Sequence, residues 1–435
     1  MGTSYRSLKA FQRPRSRRFA ESDSDWPPRP ADDETGSIPP AKLIQTIKDR
    51  VTEVLGGRVK SNQHGDYLSL RWWCAHPARF LPDLRGLKLL APDSVNEIAD
   101  PERWLFLDTE TTGLAGGSGT YPFLIGIAWW EDGGLEIEQL FMRDYDEERA
   151  VLSALRDRIA EHPVVVTFNG KSFDWPLLET RYRMSRRVPL PILRAHLDFL
   201  HPARSLWRLR LGSAKLSELE RHVLGWDRGT DMISGLIPQI YFNYLRGGPP
   251  APLISVLNHN QMDLRGLALL SGRILSLLSD VESLGQDGLE LFGVSRICEK
   301  RREDIRARSL YEKSIASILP AATDRAARRS LAKLAKRQGD FKLACQLWQD
   351  ALGNSRHGYA AYEQLAIYYE GRARDFLKAR QIVEQALNQL QRALQAQDIA
   401  PGMYHEIKAK FDHRKRRLEQ KSKQLPLSTD TSCTT

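Results

Sequence analysis

The spacing of hydrophobic and polar positions divides this chain of 435 residues into stretches of different character. Residues 1–38 mix Arg, Ser, Pro and acidic residues without any period, a composition that buries no core and predicts disorder. An amphipathic stretch ("PAKLIQTIKDRVTEVLG") and the segment "YLSLRWW" follow. They predict a short helix and an N-terminal arm over residues 39–100.

From Trp104 onward the pattern becomes that of a folded α/β domain. "WLFLDTE", "PFLIGIAWWED" and "LEIEQLFM" predict three strands joined by turn-rich connections. A helical period ("DEERAVLSALRDRIAEH") and a fourth, buried strand ("PVVVTF") come next. Further helices are predicted over 174–185, 215–224 and 251–280. The pattern predicts a mixed sheet flanked by helices, forming a domain over residues 101–285.

After about residue 300 only helical patterns remain. Residues 330–348 and 364–383 align at an offset of 34 or 35, with small residues matched to small and large apolar residues to large. This period resembles that of tetratricopeptide repeats and predicts an all-α repeat domain over 300–400; a plain helical bundle is the alternative. Residues 401–435 form a strongly basic tail, for which a solvated helix end is the simpler interpretation.

Composition adds a preference for acidic partners. The formal net charge is +10 and the pI about 9.4, which favours a polyanion such as nucleic acid. The four cysteines lie far apart without a CxxC pair, so they indicate neither a zinc site nor a disulfide framework and fit a reducing compartment. The longest apolar run, "FLIGIAWW", is too short for a membrane span, and no secretory signal is visible. A cytoplasmic protein without membrane contact is expected.

The first strand ends in two carboxylates. Asp108 and Glu110 follow the apolar residues "LFL", and in a strand the side chains at i and i+2 point to the same face. Two neighbouring carboxylates in a poorly hydrated place repel each other unless a cation lies between them. The pair alone is a weak signal, but a metal ion between the two carboxylates would relieve their repulsion.

Two later segments supply further acids. Asn169 and Asp174 follow the "PVVVTF" strand, whose carboxyl end would lie beside Asp108 if the two strands are parallel neighbours. Asp263 shares one face of the 251–280 helix with apolar residues and should point inward. Any one of these acids alone is more simply a cap or a surface residue; four of them in this order indicate a site.

At this point the chain from about 104 to 280 resembles the DEDD exonuclease superfamily with its ribonuclease-H-like fold. More closely it resembles the YprB-type ribonuclease-H-like family, which also carries tetratricopeptide-like repeats behind the domain. The matching stretches are "LDTETTGLAGGSGTYPFLIG", "FNGKSFDWPLLETR", "HLDFLHPARSLWRLRLGSAKLSELERHVLG" and "HNQMDL".

The resemblance implies that the four acids hold two divalent cations, Mg²⁺ or Mn²⁺. Carboxylate oxygens suit such hard cations, and a pair of them can stabilise both the attacking and the leaving oxygen of phosphodiester hydrolysis. By the same resemblance, Thr111, Thr112 and Gly113 line the nucleotide pocket, and Asn169 contacts the substrate.

The resemblance also implies a general base. One branch of the superfamily places Tyr four residues before the last Asp, and another places His five before it; here His259 lies four residues before Asp263 and Asn258 five before. Because i and i+4 share a helix face, His259 is the predicted base. A structural histidine at the start of a helix is the alternative.

A basic segment offers a second contact for nucleic acid. "HPARSLWRLRLGSAK" brings Arg204, Arg208, Arg210 and Lys215 together around Trp207. Bases could stack on Trp207 while Arg208 and its neighbours hold phosphates; a solvated basic helix with one buried Trp is the alternative. "GLAGGSGTY" is Gly-rich but lacks the following Lys-Ser/Thr of a Walker loop, so it predicts a connection beside the site.

These observations predict a metal-dependent nuclease, a 3′–5′ exonuclease on single-stranded DNA or RNA, followed by repeats that bind a protein partner. One alternative is a nuclease-like domain kept as a nucleic-acid-binding or scaffold module without turnover. Another makes the repeats the main functional part, with the front domain regulating assembly. Endonuclease action of the ribonuclease H kind is the alternative enzyme.

Overall fold

The computed structural model describes residues 40–75, 83–113, 117, 119–229, 232–284, 287–352 and 358–423. The predicted disorder over residues 1–38 falls outside the described residues, as do the last residues of the basic tail, 424–435.

One seven-stranded mixed sheet forms the centre of the α/β part. Its strands are β1 (Arg58–Asn62), β2 (Gly65–Ala75), β3 (Trp104–Thr111), β4 (Pro122–Glu131), β5 (Gly134–Phe141), β6 (Val164–Thr167) and β7 (Ala195–Asp198). Their order in the sheet is β1-β2-β5-β4-β3-β6-β7. The β3–β6 and β6–β7 pairs are parallel and the other pairs antiparallel.

Helices cover both faces of this sheet, which explains its near-continuous apolar strands. On β3, Trp104 and Phe106 pack into one core, whereas Leu105 and Leu107 pack into the other. The helices of this part are α1 (Pro40–Leu55), α2 (Leu84–Leu90), α3 (Val95–Ile98), α4 (Glu148–Glu161), α5 (Asp174–Ser185), α6 (Leu200–Leu211), α7 (Leu216–Leu219), α8 (Ile237–Leu245) and α9 (Leu253–Leu284). This architecture confirms the predicted ribonuclease-H-like mixed sheet with flanking helices.

The segment predicted as an N-terminal arm contributes two strands to the sheet. Residues 65–75 pair with β5 along most of their length, and β1 adds the edge strand. The "YLSLRWW" pattern shows why, since it places Tyr67, Leu68 and Leu70 in the core while Trp72 stays partly exposed. The sheet is thus built from more of the chain than residues 101–285.

β3 and β6 are parallel neighbours, as the placement of the acids requires. Their carboxyl ends, together with that of β7, therefore lie at one edge of the sheet. β7 has only four residues, "AHLD", and its pattern did not stand out in the sequence.

The rest of the described chain is helical, which confirms the predicted all-helical region. Its helices are α10 (Gly288–Lys300), α11 (Asp304–Ile315), α12 (Ala321–Arg337), α13 (Phe341–Leu352), α14 (Tyr359–Gly371), α15 (Phe376–Gln395) and α16 (Pro401–Lys423). The α12–α13 and α14–α15 pairs repeat the predicted offset. Asp340 and Asp375 each accept a hydrogen bond from a backbone N–H three residues on, Leu343 and Lys378 respectively. Their repeat class and exact domain boundaries stay predictions.

The described part of the basic tail is the helix α16 and is more than a solvated end. Arg414, Arg417 and Lys421 converge on the buried carboxylate of Glu370 in α14. Burial raises the pKa of Glu370, but the hydrogen bonds and charges of Arg417 and Lys421 outweigh it and lower that pKa to about 2. These ion pairs fasten α16 to the preceding helix pair.

Candidate metal centre

Asp108 and Glu110 lie at the carboxyl end of β3, on the face that also carries Trp104 and Phe106. The chain can place polar groups there because the strand's burial ends at Leu107, and residues 108–111 are only half-buried. The facing position on β4 is Gly126, paired in register with Asp108. The absent side chain leaves room for helix α9 to approach this end of the strand.

Asp174 arrives from the neighbouring strand. β6 ends at Thr167, a turn follows, and Asp174 is the first residue of α5. The Thr109 hydroxyl donates a hydrogen bond to Asp174 Oδ1 at 2.5 Å, which joins the two strand ends directly. The turn needs its Asn-Gly pair: Asn169 has a left-handed φ of 72°, and a Cβ on Gly170 would lie 2.5 Å from Thr167 Cβ.

Helix α9 supplies Asp263 and His259 to the same place. His259 Nε2 lies 3.6 Å from Asp263 Oδ2 and 4.0 Å from Glu110 Oε1. One ligand atom from each of these three residues lies within 4.8 Å of the others, a spacing that one metal ion could bridge. The structure therefore brings Glu110, His259 and Asp263 together.

A chain of hydrogen bonds across three strands holds Asp108. Asn260 Nδ2 donates to Asp108 Oδ2 at 2.8 Å, and Gln139 Nε2 on β5 donates to Asn260 Oδ1 at 2.9 Å. Gln139 in turn accepts a hydrogen bond from the Trp72 indole at 2.9 Å. These hydrogen bonds orient one oxygen of the Asp108 carboxylate, which in its ionised form can only accept hydrogen bonds.

An arginine is also part of the cluster. The Arg228 guanidinium donates to Asp263 Oδ1 at 2.5 Å and forms a second ion pair with the fully buried Glu220. Burial lowers the pKa of Arg228, but the hydrogen bonds and charges of Glu220 and Asp263 raise it above its usual value. Arg228 therefore stays a fixed positive charge beside the acids.

The acids affect one another electrostatically. Burial raises the pKa of Asp108 well above its usual range, and the negative charges of Asp263 and Asp174 raise it further, against the opposing hydrogen bond of Asn260. Burial also raises the pKa of Asp174, while the Thr109 hydrogen bond opposes the rise. This mutual repulsion is what a bound cation would relieve.

The donor set fits a hard divalent cation. Carboxylate oxygens dominate it, an imidazole stands beside them, and no cysteine is among the residues described around the site. Oxygen-rich sites of this kind suit Mg²⁺ or Mn²⁺, whereas soft metals prefer sulfur ligands.

The residues expected to line a nucleotide pocket differ in how many of their polar groups already form hydrogen bonds within the protein. The Thr111 hydroxyl donates to the carbonyl oxygen of Gly113 at 2.8 Å. Thr112 exchanges two hydrogen bonds with Tyr121, each 2.9 Å, and is largely buried. The backbone N–H of Asn169 donates to Asp198, and the residue is half-buried. Their substrate contacts stay predictions.

Trp207 cannot act as a stacking platform, which corrects that expectation. It is fully buried, and its indole N–H donates to Glu290 at 2.8 Å. In α6, Leu200, Ala203 and Trp207 recur at helical spacing and face the core, so Arg204 and Arg208 face out. Arg208 keeps its exposed position, whereas Arg210 pairs with Asp287 and Glu290.

Sequence reasoning missed Asn260, Gln139 and Arg228. The lone glycine in the bulky strand "PFLIGIAWW" signals close approach of another group, and that group is Asn260. Gln139 and Arg228 carried no comparable local signal, since their roles depend on strand register and on a long connection.

Comparison with known proteins gives matches to a family model and to individual proteins. A family model described as RNase_H superfamily matches residues 105–275. The protein YprB of Bacillus subtilis (strain 168), described as uncharacterized, is 31% identical over 286 residues, which are 65% of this chain and 68% of that protein. A solved structure of the family B DNA polymerase from the hyperthermophilic archaeon Pyrobaculum calidifontis matches at 18% identity and a TM-score of 0.36, over 49% of this chain and 29% of the polymerase chain.

None of the helices in the described part of the chain combines the length and the apolar character that crossing a membrane requires.

Proposed function

The chain belongs to the YprB-type family within the ribonuclease H superfamily, and from that premise we propose that its nuclease-like domain is a metal-dependent 3′–5′ exonuclease. The proposed substrate is single-stranded DNA or RNA, and the proposed cofactors are two divalent cations, Mg²⁺ or Mn²⁺. Asp108, Glu110, Asp174 and Asp263 are the proposed ligands.

One observation carries the proposal: the acids from β3, α5 and α9 meet at the sheet edge formed by β3, β6 and β7. The negative charges of Asp174 and Asp263 both raise the pKa of Asp108, so the three carboxylates lie near one another. Glu110 and Asp263 are close enough to bind the same metal ion. Buried acids that repel one another lower stability, so a fold keeps them where a cation or a reaction needs them.

The bound cations would activate water and stabilise the developing charge on the phosphate oxygens. The chain's own groups have positioning roles. Asn260 and Thr109 hold one oxygen each of Asp108 and Asp174, which leaves the remaining lone pairs of both carboxylates for ligation.

His259 is the proposed general base. Its ring is almost buried, and Nε2 faces both Glu110 and Asp263, where water bound to those acids would be within reach.

A second candidate function rests on Arg228. Its guanidinium already neutralises Asp263 and thereby does part of what a metal ion would do. This contact favours a nuclease-like domain that binds nucleic acid without turnover, the scaffold alternative.

The test uses the full-length protein and 5′-labelled single strands of DNA and RNA. We expect products that shorten stepwise from the 3′ end with Mn²⁺ or Mg²⁺, and none with EDTA. Asp108→Asn should lose this activity, while Asp132→Asn, an exposed carboxylate in the β4–β5 turn, should keep it. A circular strand should resist; its cleavage would instead support the endonuclease alternative.

A histidine variant separates enzyme from scaffold. His259→Ala should lower turnover by roughly 10²-fold or more with little change in strand binding. Turnover at the wild-type rate would make His259 structural. Wild-type protein that binds strands and never cleaves them with either metal would establish the scaffold function.

A further inference from the structure

A large groove lies next to the acid cluster, between α6, α10 and the end of α2. Its volume is about 960 Å³. Lys171 and Asp198 form its end nearest the cluster, since Asp198 ends β7 and accepts hydrogen bonds from the backbone N–H groups of Asn169 and Lys171, in the turn that leads to Asp174. The groove thus begins at the same sheet edge where the acids meet.

The charged side chains that line the groove are mainly cations. Six of them are exposed and form no ion pair with another described residue: Lys171, Arg204, Arg208, Arg296, Lys300 and Arg301. Of these, Arg301 donates hydrogen bonds to the carbonyl oxygens of Leu89 and Leu90. The one acid in the lining, Asp198, is occupied by the backbone N–H groups of Asn169, Lys171 and Leu200. The groove therefore presents an excess of positive charge to a ligand.

The positive lining continues onto the helical region without a break. A second cavity shares Leu209 and Arg296 with the groove and adds Arg329 and Lys333 of α12. A third cavity shares Arg329 and Lys333 with the second and extends along α12 and α13.

Helix α12 presents its cations in a row. Arg325, Arg329 and Lys333 recur every four residues and are exposed. At about 1.5 Å of rise per residue the row is roughly 12 Å long. Two acids also line the cavity along α12, Asp324 and the exposed Asp350. Asp324 pairs with Arg328 and Glu299 pairs with Lys333, and both ion pairs are partly exposed.

We propose that these three cavities form one track for the phosphate backbone of single-stranded nucleic acid, leading from the acid cluster across α6 and α10 to α12. The proposal rests on the proposed nuclease function in one respect: the acid cluster is the end of the track at which the strand is cut. It assigns the first helices of the helical region to nucleic acid rather than to a protein partner.

One feature favours nucleic acid over an acidic peptide. The charged side chains along the track are predominantly cations from the acid cluster to α12, as a continuous polyanion requires. The three linings hold few aromatic rings, and Trp348 and Phe292 among them are nearly buried. Binding should therefore depend on phosphates, with little base preference and a strong dependence on salt.

The test measures binding of labelled oligothymidylates of increasing length by fluorescence anisotropy in EDTA, so that no cleavage occurs. Wild-type affinity should rise with length and then level off when the strand reaches α12. The triple variant Arg325→Ala/Arg329→Ala/Lys333→Ala should lack the gain in affinity that wild type shows when the strand reaches α12. Its affinity for the longest strands should therefore be lower by about tenfold or more. Its slope of log K against log salt should fall by roughly 2, at about 0.7 per lost phosphate contact.

The matched control removes the same charge elsewhere. Arg50, Arg149 and Arg246 are exposed and form no ion pair with another described residue. They belong to segments that pack on the core containing Leu105 and Leu107, on the other face of the sheet. Their triple alanine variant should bind strands of every length like wild type. An equal loss of affinity in both variants would show that binding depends on net charge alone, and it would overturn the track.

Two further outcomes are decisive. Long strands that bind the α12 variant as tightly as wild type would overturn the proposal, and so would poly-glutamate that competes as well as the oligonucleotide. Turnover of the shortest strands with Mn²⁺ is measured separately on wild-type protein. Its failure would count against the nuclease function alone, because the binding assay contains no metal.

Discussion

At Gly126 the backbone of β4 leaves a space that the Asn260 amide fills. A Cβ built on this glycine would lie 2.1 Å from Asn260 Oδ1 and 2.6 Å from its Nδ2. Both amide atoms are in use, since Oδ1 accepts from Gln139 and Nδ2 donates to Asp108. The amide cannot move without breaking one of these hydrogen bonds.

We expect Gly126→Ala to displace Asn260 and to release Asp108 from its orienting donor. Overpacking of this kind typically costs about 1–3 kcal/mol, which urea unfolding would measure. Gly119→Ala is the matched control, because no atom of the described residues, its chain neighbours apart, lies within 4 Å of a Cβ built there. A Gly126→Ala variant as stable as that control would show that Asn260 is free to shift.

The acids themselves could be predicted because their evidence is local. Asp108 and Glu110 share a strand face by simple alternation, and Asp174 and Asp263 each follow an apolar pattern along one element. Asn260 and Arg228 could not be predicted in the same way. Their partners lie 152 and 35 residues away, respectively, and depend on how the elements pack.

At the scale of elements, Glu138 ties the N-terminal hairpin to the rest of the sheet. Its carboxylate on β5 accepts hydrogen bonds from Lys60 of β1, Ser69 of β2 and Arg158 of α4, at 2.7–2.9 Å. Burial raises the pKa of Glu138, but the hydrogen bonds from Lys60 and Ser69 and the charge of Arg158 lower it to about 2.

This lowered pKa predicts a pH-dependent contribution to stability. The contribution is complete above the unfolded value of 4.5 and is lost as the pH falls through about 2. In Glu138→Gln it should be absent, so the wild type should be more stable by up to about 3 kcal/mol near neutral pH, and the difference should shrink on acidification. Urea unfolding at several pH values tests it. A constant difference, or the same trend in Asp132→Asn, would contradict the assignment.

Elements were predicted well where their period was long and poorly where they were short or depended on distant partners. The predicted helix over 174–185 coincides with α5, and the long helix predicted from 251 corresponds to α9. The four-residue β7 and the pairing of β2 with β5 were missed, because strand pairing is non-local. For Trp207 the alternative of a buried side chain is the one that holds, and its helical spacing from Leu200 and Ala203 already indicates it.

Across the whole molecule, the acid cluster is a place where function and stability oppose each other. Burial and the charges of Asp263 and Asp174 raise the pKa of Asp108, so the ionised carboxylate lowers the stability of the metal-free protein at neutral pH. Arg228 forms ion pairs with Asp263 and Glu220, and its charge offsets only part of the rise in the pKa of Asp108. Removing the charge of Asp108 should therefore have opposite effects with and without metal.

Asp108→Asn keeps an oxygen for the Asn260 amide and removes the charge. In EDTA we expect the variant to melt at a higher temperature than wild type, with a gain of roughly 0.5–2 kcal/mol, as is common when a functional site is neutralised. Mn²⁺ should reverse the order: a ligand at about 100 times its Kd stabilises the wild type by about 2.7 kcal/mol, and the variant should gain little. Asp132→Asn should follow wild type in both conditions. If Mn²⁺ does not reverse the order of the two melting temperatures, or if it raises that of Asp108→Asn as much as that of wild type, Asp108 is not a metal ligand. A carboxylate that is repelled without metal and binds the metal when it is present requires this reversal.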